Sequence, residues 1–303
     1  MPAALPQVKW APVNAPLGSE NCVLAAQSGR HSVRDYPGPL SIKTVTRGRV
    51  AWKIGRRDVW VDESTFLVLN DGEPYSMEID TVEPVSTCCV FFKAGFVENV
   101  FRDLCRPDEH CLDDPEPHTT EVLFLNRLHI RTPALDGWMA GARNCLMRVS
   151  SQLRLEECYL GLAAELAVHS REMGKQLCAI PAVKPSTRSE LLERVSRGRE
   201  YLHACPGGTA TLAGAARAPA MSPFHFQRTF KAALGMSPSR YVLGLRFTRA
   251  AQLLRAGTSI TDAALSVGFS SSASFSTGFR QWSGMAPSKY AAQFRKISNA
   301  RSG

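Results

Sequence analysis

The C-terminal third of the chain matches itself when displaced by 49 residues. Phe226, Phe230, Lys231, Gly235, Met236, Pro238, Ser239, Arg240, Tyr241 and Arg246 fall on Phe275, Phe279, Arg280, Gly284, Met285, Pro287, Ser288, Lys289, Tyr290 and Arg295. A solenoid needs at least three stacked units, so two copies indicate a tandem pair.

Each unit reads as two short helices and a turn. In the first, Ser222-Pro223 supplies a capping hydroxyl and a proline at the first helical turn, Phe226 and Phe230 recur at helical spacing, and Gly235 ends the run. Opposite that apolar stripe lie Phe224, Gln227, Arg228 and Lys231. Before it, Leu212, Ala215 and Ala216 mark a small-residue helix that a close crossing requires, joined through Ala218-Pro219-Ala220-Met221. The second unit runs from Ile260 through Ala263, Ala264 and Val267, turns at Gly268-Phe269, and continues as a helix from Ser271 or Ser272 to about Trp282. Between the units, Pro238 to about Ala256 reads as one long helix that fixes their separation. The four phenylalanines at 226, 230, 275 and 279 are core positions. His225 is packed or phosphate-facing and not catalytic, since no acid or nucleophile accompanies it.

Charge follows the same division. The chain carries 36 Lys+Arg against 27 Asp+Glu. From Thr187 onward there are 16 basic residues and only four acids, Glu190, Glu193, Glu200 and Asp262, so the whole basic excess sits in this part. Such asymmetry points to a polyanionic partner or, read blandly, to a basic soluble surface. Pro181 to Ser186 reads as a linker. The expected organisation is therefore an effector-binding and dimerisation domain over 1–180, a linker over 181–186, and a DNA-binding domain over 187–303.

Together these features resemble the AraC-type family of bacterial transcription regulators, whose tandem helix-turn-helix domain would cover roughly Thr187 to Arg295. The second unit carries the more specific pattern: Ile260, Ala264, Gly268-Phe269, Phe275, Phe279-Arg280, Gly284, Ala286-Pro287 and Tyr290. The resemblance implies two recognition helices in successive major-groove segments, about 34–36 Å apart. It assigns base reading to Phe224, Gln227 and Arg228 in the first helix and to Ser272, Ala273 and Thr277 in the second. Arg228 can pair bidentately with guanine, Gln227 with adenine, and Phe224 can meet a thymine methyl. Lys231, Arg280 and Lys289 are expected on phosphates. The second helix departs from the family pattern, having Ala273, Ser274 and Thr277 where larger readers are frequent, so most base readout is expected from the first motif. The first turn also departs, with Ala220 where glycine is frequent.

Between about Leu40 and Phe92, short β-rich runs alternate with turn signals such as Arg47-Gly48, Gly55-Arg56 and Asn70-Asp71-Gly72, which predicts a small barrel or sandwich. The region resembles the cupin-type domain found ahead of many such DNA-binding modules. The fold class is then α+β, with a cupin-like β-barrel and helices followed by an all-α domain. Cupin enzymes hold a metal through clustered histidines, and Leu40 to Phe92 contains no histidine; His31, His110, His118 and His129 lie outside it. No metal or other cofactor is expected, and no catalytic residue. Trp52, Tyr75, Met77 and Cys88 could line an effector pocket or be ordinary core. Cys88 and Cys89 should face opposite sides of a strand, which leaves a redox sensor, with Cys105 and Cys111 as its other pair, the weaker alternative. Helices are expected over Gly95 to Arg106, Pro133 to Arg148 and Gln152 to Gly174, the last with Leu153, Leu160, Ala164 and Ala167 or Val168 at helical spacing. The helices within 133–174 either form a homodimer contact or cover the barrel.

The expected function is a non-enzymatic, sequence-specific regulator, by family habit an activator, acting on double-stranded promoter DNA and RNA polymerase in response to a small molecule. The alternatives are a cupin-type enzyme fused to a DNA-binding tail, a redox-responsive regulator and an architectural DNA binder. The N-terminus shows no secretory signal and nine cysteines lack any C-x-x-C pair, which together suggest a cytoplasmic, nucleoid-associated protein without membrane attachment.

Overall fold

Strands in the N-terminal half are longer and more numerous than the turn signals indicate. The computed structural model describes residues 7–11, 16–105, 124, 128–147, 152–205 and 210–299. The chain divides into two compact units, Met1–Lys175 and Gln176–Gly303.

The first unit is built on an eight-stranded antiparallel sheet of β1 (Gln7–Ala11), β2 (Cys22–Pro37), β3 (Ser41–Arg47), β4 (Arg49–Ile54), β5 (Arg57–Asp62), β6 (Thr65–Leu69), β7 (Pro74–Phe91) and β8 (Leu128–Ile130). Hydrogen bonding follows the order β1-β2-β7-β3-β6-β8, and the β4-β5 hairpin joins β7. β7 runs the length of the barrel: its first half pairs with β4 (Trp52 opposite Met77) and its second half with β3 (Lys43 opposite Cys89), while β2 follows it along the other side. The runs around 75–79 and 85–92 are thus one strand, and β1, β2 and β8 extend the barrel beyond Leu40–Phe92. His31 and His129 accordingly sit on barrel strands, not outside them.

Period-2 alternation gives this sheet two cores. Val45, Val50, Trp52, Val59, Val61, Leu67, Leu69, Tyr75, Cys89 and Phe91 pack together inside the barrel. Their sequence neighbours Ile42, Phe66, Val68, Cys88, Val90 and Phe92 pack on the other face beneath helices. Those helices are α1 (Phe96–Cys105), α2 (Pro133–Met147) and α3 (Gln152–Ala179). α3 contributes Cys158, Tyr159, Leu162, Ala163 and Leu166 to this second core, while Leu153, Leu160 and Val168 stay exposed. The row singled out from the sequence is therefore largely the outward one, except that Ala164 is half-buried and Ala167 is buried.

The second unit is all helical: α4 (Pro185–Ala204), α5 (Leu212–Arg217), α6 (Pro223–Leu234), α7 (Pro238–Arg255), α8 (Ile260–Ser266), α9 (Ser272–Ser283) and α10 (Pro287–Asn299). No helix of the described residues is long and apolar enough to cross a membrane.

Candidate nucleic-acid interface and barrel interior

Each short helix pair is set by the same local chemistry. The hydroxyls of Thr211, Ser222, Ser259 and Ser271 cap α5, α6, α8 and α9 by accepting from the backbone N–H three residues on. Gly235 and Gly284 end α6 and α9 in left-handed backbone at φ 69° and 78°, donating to the carbonyls of Lys231 and Arg280.

The turns are equivalent too, with a change of register that the sequence offset conceals. Ala220 N–H donates to Arg217 O and Met221 N–H to Ala216 O; Gly268 N–H donates to Leu265 O and Phe269 N–H to Ala264 O. The first helices and turns therefore correspond at an offset of 48, and the second helices at 49. Ser270 is the additional residue, so the second connection is one residue longer. Ala220 occupies the left-handed position at φ 54°, where Gly268 sits at φ 80°. The departure from glycine in the first turn is accommodated by backbone that alanine adopts only at a cost.

With Phe226, Thr229, Phe230 and Ala233 buried on α6, the opposite face presents Phe224, Gln227, Arg228 and Lys231 to solvent. Phe224 is 74% exposed, which no folding term rewards. The Arg228 guanidinium lies 5.9 Å from the Phe224 ring centroid, so the two side chains support one another. On α9, Phe275 and Phe279 are buried while Ser272, Ala273, Thr277 and Arg280 are exposed. Lys231 and Arg280 occupy the last turns of α6 and α9, where they also complement the helix dipole. Lys289 is exposed in the first turn of α10, and His225 is half-buried. Neither α6 nor α9 carries an acidic residue, so both faces can approach phosphates.

The two cores beneath these faces differ. In the second motif Phe247 of α7 is surrounded by Phe269, Phe275, Phe279 and Trp282 at centroid distances of 5.4, 6.1, 6.0 and 5.9 Å. In the first, Gly198 of α4 lets Phe226 approach so closely that an added Cβ would lie 2.2 Å from its ring. Phe230 meets Tyr241 edge-on at 5.5 Å, and the Tyr241 hydroxyl bonds His203 Nε2 at 2.7 Å.

Inside the barrel, Trp52, Tyr75 and Met77 share one face, but Cys88 does not. It belongs to the helix-covered core, because β7 places alternate side chains on opposite sides; Cys89 and Phe91 take the inner positions. Trp52 and Tyr75 are buried, whereas Met77 is half-buried and lines a groove of about 530 Å³ with Val33, Arg34, Ala51 and Lys53. Burial pushes the Cys88 thiol up to about 12 and raises Cys89 as well, which keeps both protonated and poor as redox groups. Cys111, His110 and His118 lie outside the described residues. His129 stacks on Phe66 at 4.9 Å, and His169 sits 5.1 Å from His129. Among the described residues no three His, Cys, Asp or Glu side chains gather as metal ligands would.

The residue that sequence reasoning missed is Lys43. It is 1% exposed and lies on the inner face of β3, opposite Leu67 and Cys89. Its Nζ donates to the Tyr75 hydroxyl at 3.1 Å and lies 3.8 Å from the Phe91 ring centroid and 4.5 Å from that of Tyr75. Burial lowers its amine from the ordinary 10.5 to about 8, partly opposed by Cys89. A lysine in an alternating strand reads as an outward polar position, and nothing in the run from Leu40 to Thr46 marks it as inward; strand register alone places it inside.

Comparison with known proteins agrees with the geometry of the second unit. The family described as "Helix-turn-helix domain" matches residues 215–293. The regulatory protein ada of Salmonella typhimurium is 43% identical over 86 residues, 28% of this chain and 23% of that protein. The bifunctional transcriptional activator/DNA repair enzyme Ada of Escherichia coli is 42% identical over 65 residues, 22% of this chain and 18% of that protein. The chain thus spans less than a quarter of the curated relatives it matches. Among solved structures, a transcriptional regulator from Chromobacterium violaceum, described by its AraC-type DNA-binding domain, is 30% identical, with 35% of this chain and 96% of that chain covered and a TM-score of 0.33. ToxT from Vibrio cholerae is 11% identical with 95% and 98% covered and a TM-score of 0.35. By its C-terminal tandem helix-turn-helix domain, the chain belongs to the AraC-type family of transcription regulators.

Proposed function

We propose that this protein is a sequence-specific transcription regulator whose N-terminal barrel takes up a small-molecule effector and thereby alters how α6 and α9 engage promoter DNA. The carrying observation is the exposed face of α6. Phe224, Gln227 and Arg228 are directed to solvent on a helix without acids, a composition suited to base edges and not to general polyanion binding alone. Base reading is assigned to these three and, more weakly, to Ser272, Ala273 and Thr277, with Lys231, Arg280 and Lys289 on the phosphates.

The protein acts in the cytoplasm on the nucleoid, without catalysis of its own, and as an activator through contact with RNA polymerase. Selection of bound sequences from random DNA by the full chain tests the reading. A defined motif is expected; enrichment without one would make the protein an architectural binder. The exposed row Leu153, Leu160 and Val168 on α3 supports self-association through that helix. Sedimentation of the full chain as a monomer at high concentration would remove that part.

A further inference from the structure

Lys43 is a cation placed where folding alone gives no reason for one. Its neighbours inside the barrel are hydrocarbon, aromatic rings and a thiol, and among the described residues no carboxylate reaches it. An ammonium has three donors. One is used on the Tyr75 oxygen, and the others meet only ring faces. Tyr75 accepts that bond, and burial holds its phenol well above its ordinary range, so it keeps an O–H to donate. Two donors converge with no acceptor between them, an arrangement that desolvation disfavours unless something brings the acceptor.

We propose that Lys43 and Tyr75 are the head-group site of the barrel and select an effector bearing a carboxylate, whose oxygens accept from the Nζ and the phenol while its apolar body lies among the inner side chains. This rests on the effector-responsive reading above. An alcohol or a neutral amide could accept these hydrogen bonds but would leave the cation without a counter-charge, and a protonated amine would add a second cation. Tyr36, half-buried, stands edge-on to Tyr75 at 5.9 Å beside this pair.

The pH dependence follows from the groups around the amine. Burial raises both Cys89 and Tyr75 and so favours their neutral forms, which leaves Lys43 as the charged group of this cluster that loses its charge as pH passes about 8. Carboxylate binding should weaken about tenfold per pH unit above about 8, where the free amine loses its proton.

The test is thermal unfolding of the full-length protein with straight-chain monocarboxylates from acetate to decanoate, benzoate and phenylacetate, each beside its primary amide. At least one carboxylate is expected to raise the wild-type Tm by several degrees at pH 7, less at pH 9.5, and its amide not at all. Lys43→Met should lose the response and, without ligand, melt above the wild type; Tyr75→Phe should weaken it while keeping the ring. The unliganded gap between Lys43→Met and wild type should close as pH rises from 8 toward 10.5, because the folded amine deprotonates before the unfolded one. The assignment is overturned if no carboxylate in the series shifts the wild type, if Lys43→Met retains the shift, or if Lys43→Met melts lower. A carboxylate that stabilises the wild type alone yet leaves DNA affinity unchanged would keep the head-group site and remove the effector reading.

Discussion

In the first helix-turn-helix, Ala220 closes the turn at φ 54°, the core depends on Gly198 admitting Phe226, and the exposed face of α6 carries Phe224, Gln227 and Arg228. In the second, Gly268 closes the turn at φ 80°, Phe247 anchors an aromatic core, and α9 exposes Ser272, Ala273 and Thr277. The second motif has the easier backbone and the more aromatic core; the first exposes the larger side chains on its second helix. The difference teaches that adherence to a fold pattern and capacity to read bases are separate properties, one set by buried stripes and turns and the other by the opposite face of the same helices.

Substitutions can break or sharpen this contrast. The largest effect is expected at Phe247: Phe247→Ala removes the ring shared by four aromatic neighbours and should cost about 3–5 kcal/mol in chemical denaturation of the full chain. Next comes Gly198→Ala, which forces a methyl to 2.2 Å from the Phe226 ring and 2.8 Å from the Ala215 carbonyl oxygen. Backbone cannot yield as a ring tip can, so about 1–3 kcal/mol is expected, more than for Gly278→Ala, whose methyl meets only the Phe247 ring at 2.6 Å. Equal losses at 198 and 278 would show that the two cores tolerate crowding alike. The smallest pair concerns the turns. Gly268→Ala should destabilise by about 1 kcal/mol, while Ala220→Gly should be neutral or stabilise by up to about 0.5 kcal/mol, relief of left-handed strain being offset by glycine's chain entropy.

How much of this was legible in the sequence varied with the signal each element left. Ser222-Pro223 and Gly235 bracket α6 where the structure places Pro223–Leu234, because a cap, a proline and a left-handed glycine act locally. The 48-residue correspondence of the first helices was hidden, since Ala215 and Ala216 against Ala263 and Ala264 leave little to align. β2 escaped because its second half, from Arg30 onward, is largely exposed and lacks apolar alternation; pairing with β7 holds it. β7 looked like two strands because Asp80 to Pro84 is exposed and includes Asp80, Glu83 and a proline, yet the chain stays extended through it. The proposed effector residues divided for the same reason of parity: Trp52, Tyr75 and Met77 share the barrel interior, Cys88 faces the helices, and Lys43 showed itself only once strand register was known.

The central claim, that the first motif supplies most of the base readout, is tested most directly by the ratio of affinities for a selected site and its scrambled counterpart at fixed salt. Arg228→Ala should reduce that ratio by about 1–3 kcal/mol, the worth of one bidentate contact, while Thr277→Ala should change it by less than about 0.5 kcal/mol. Equal losses of discrimination from Thr277→Ala and Arg228→Ala would contradict the account.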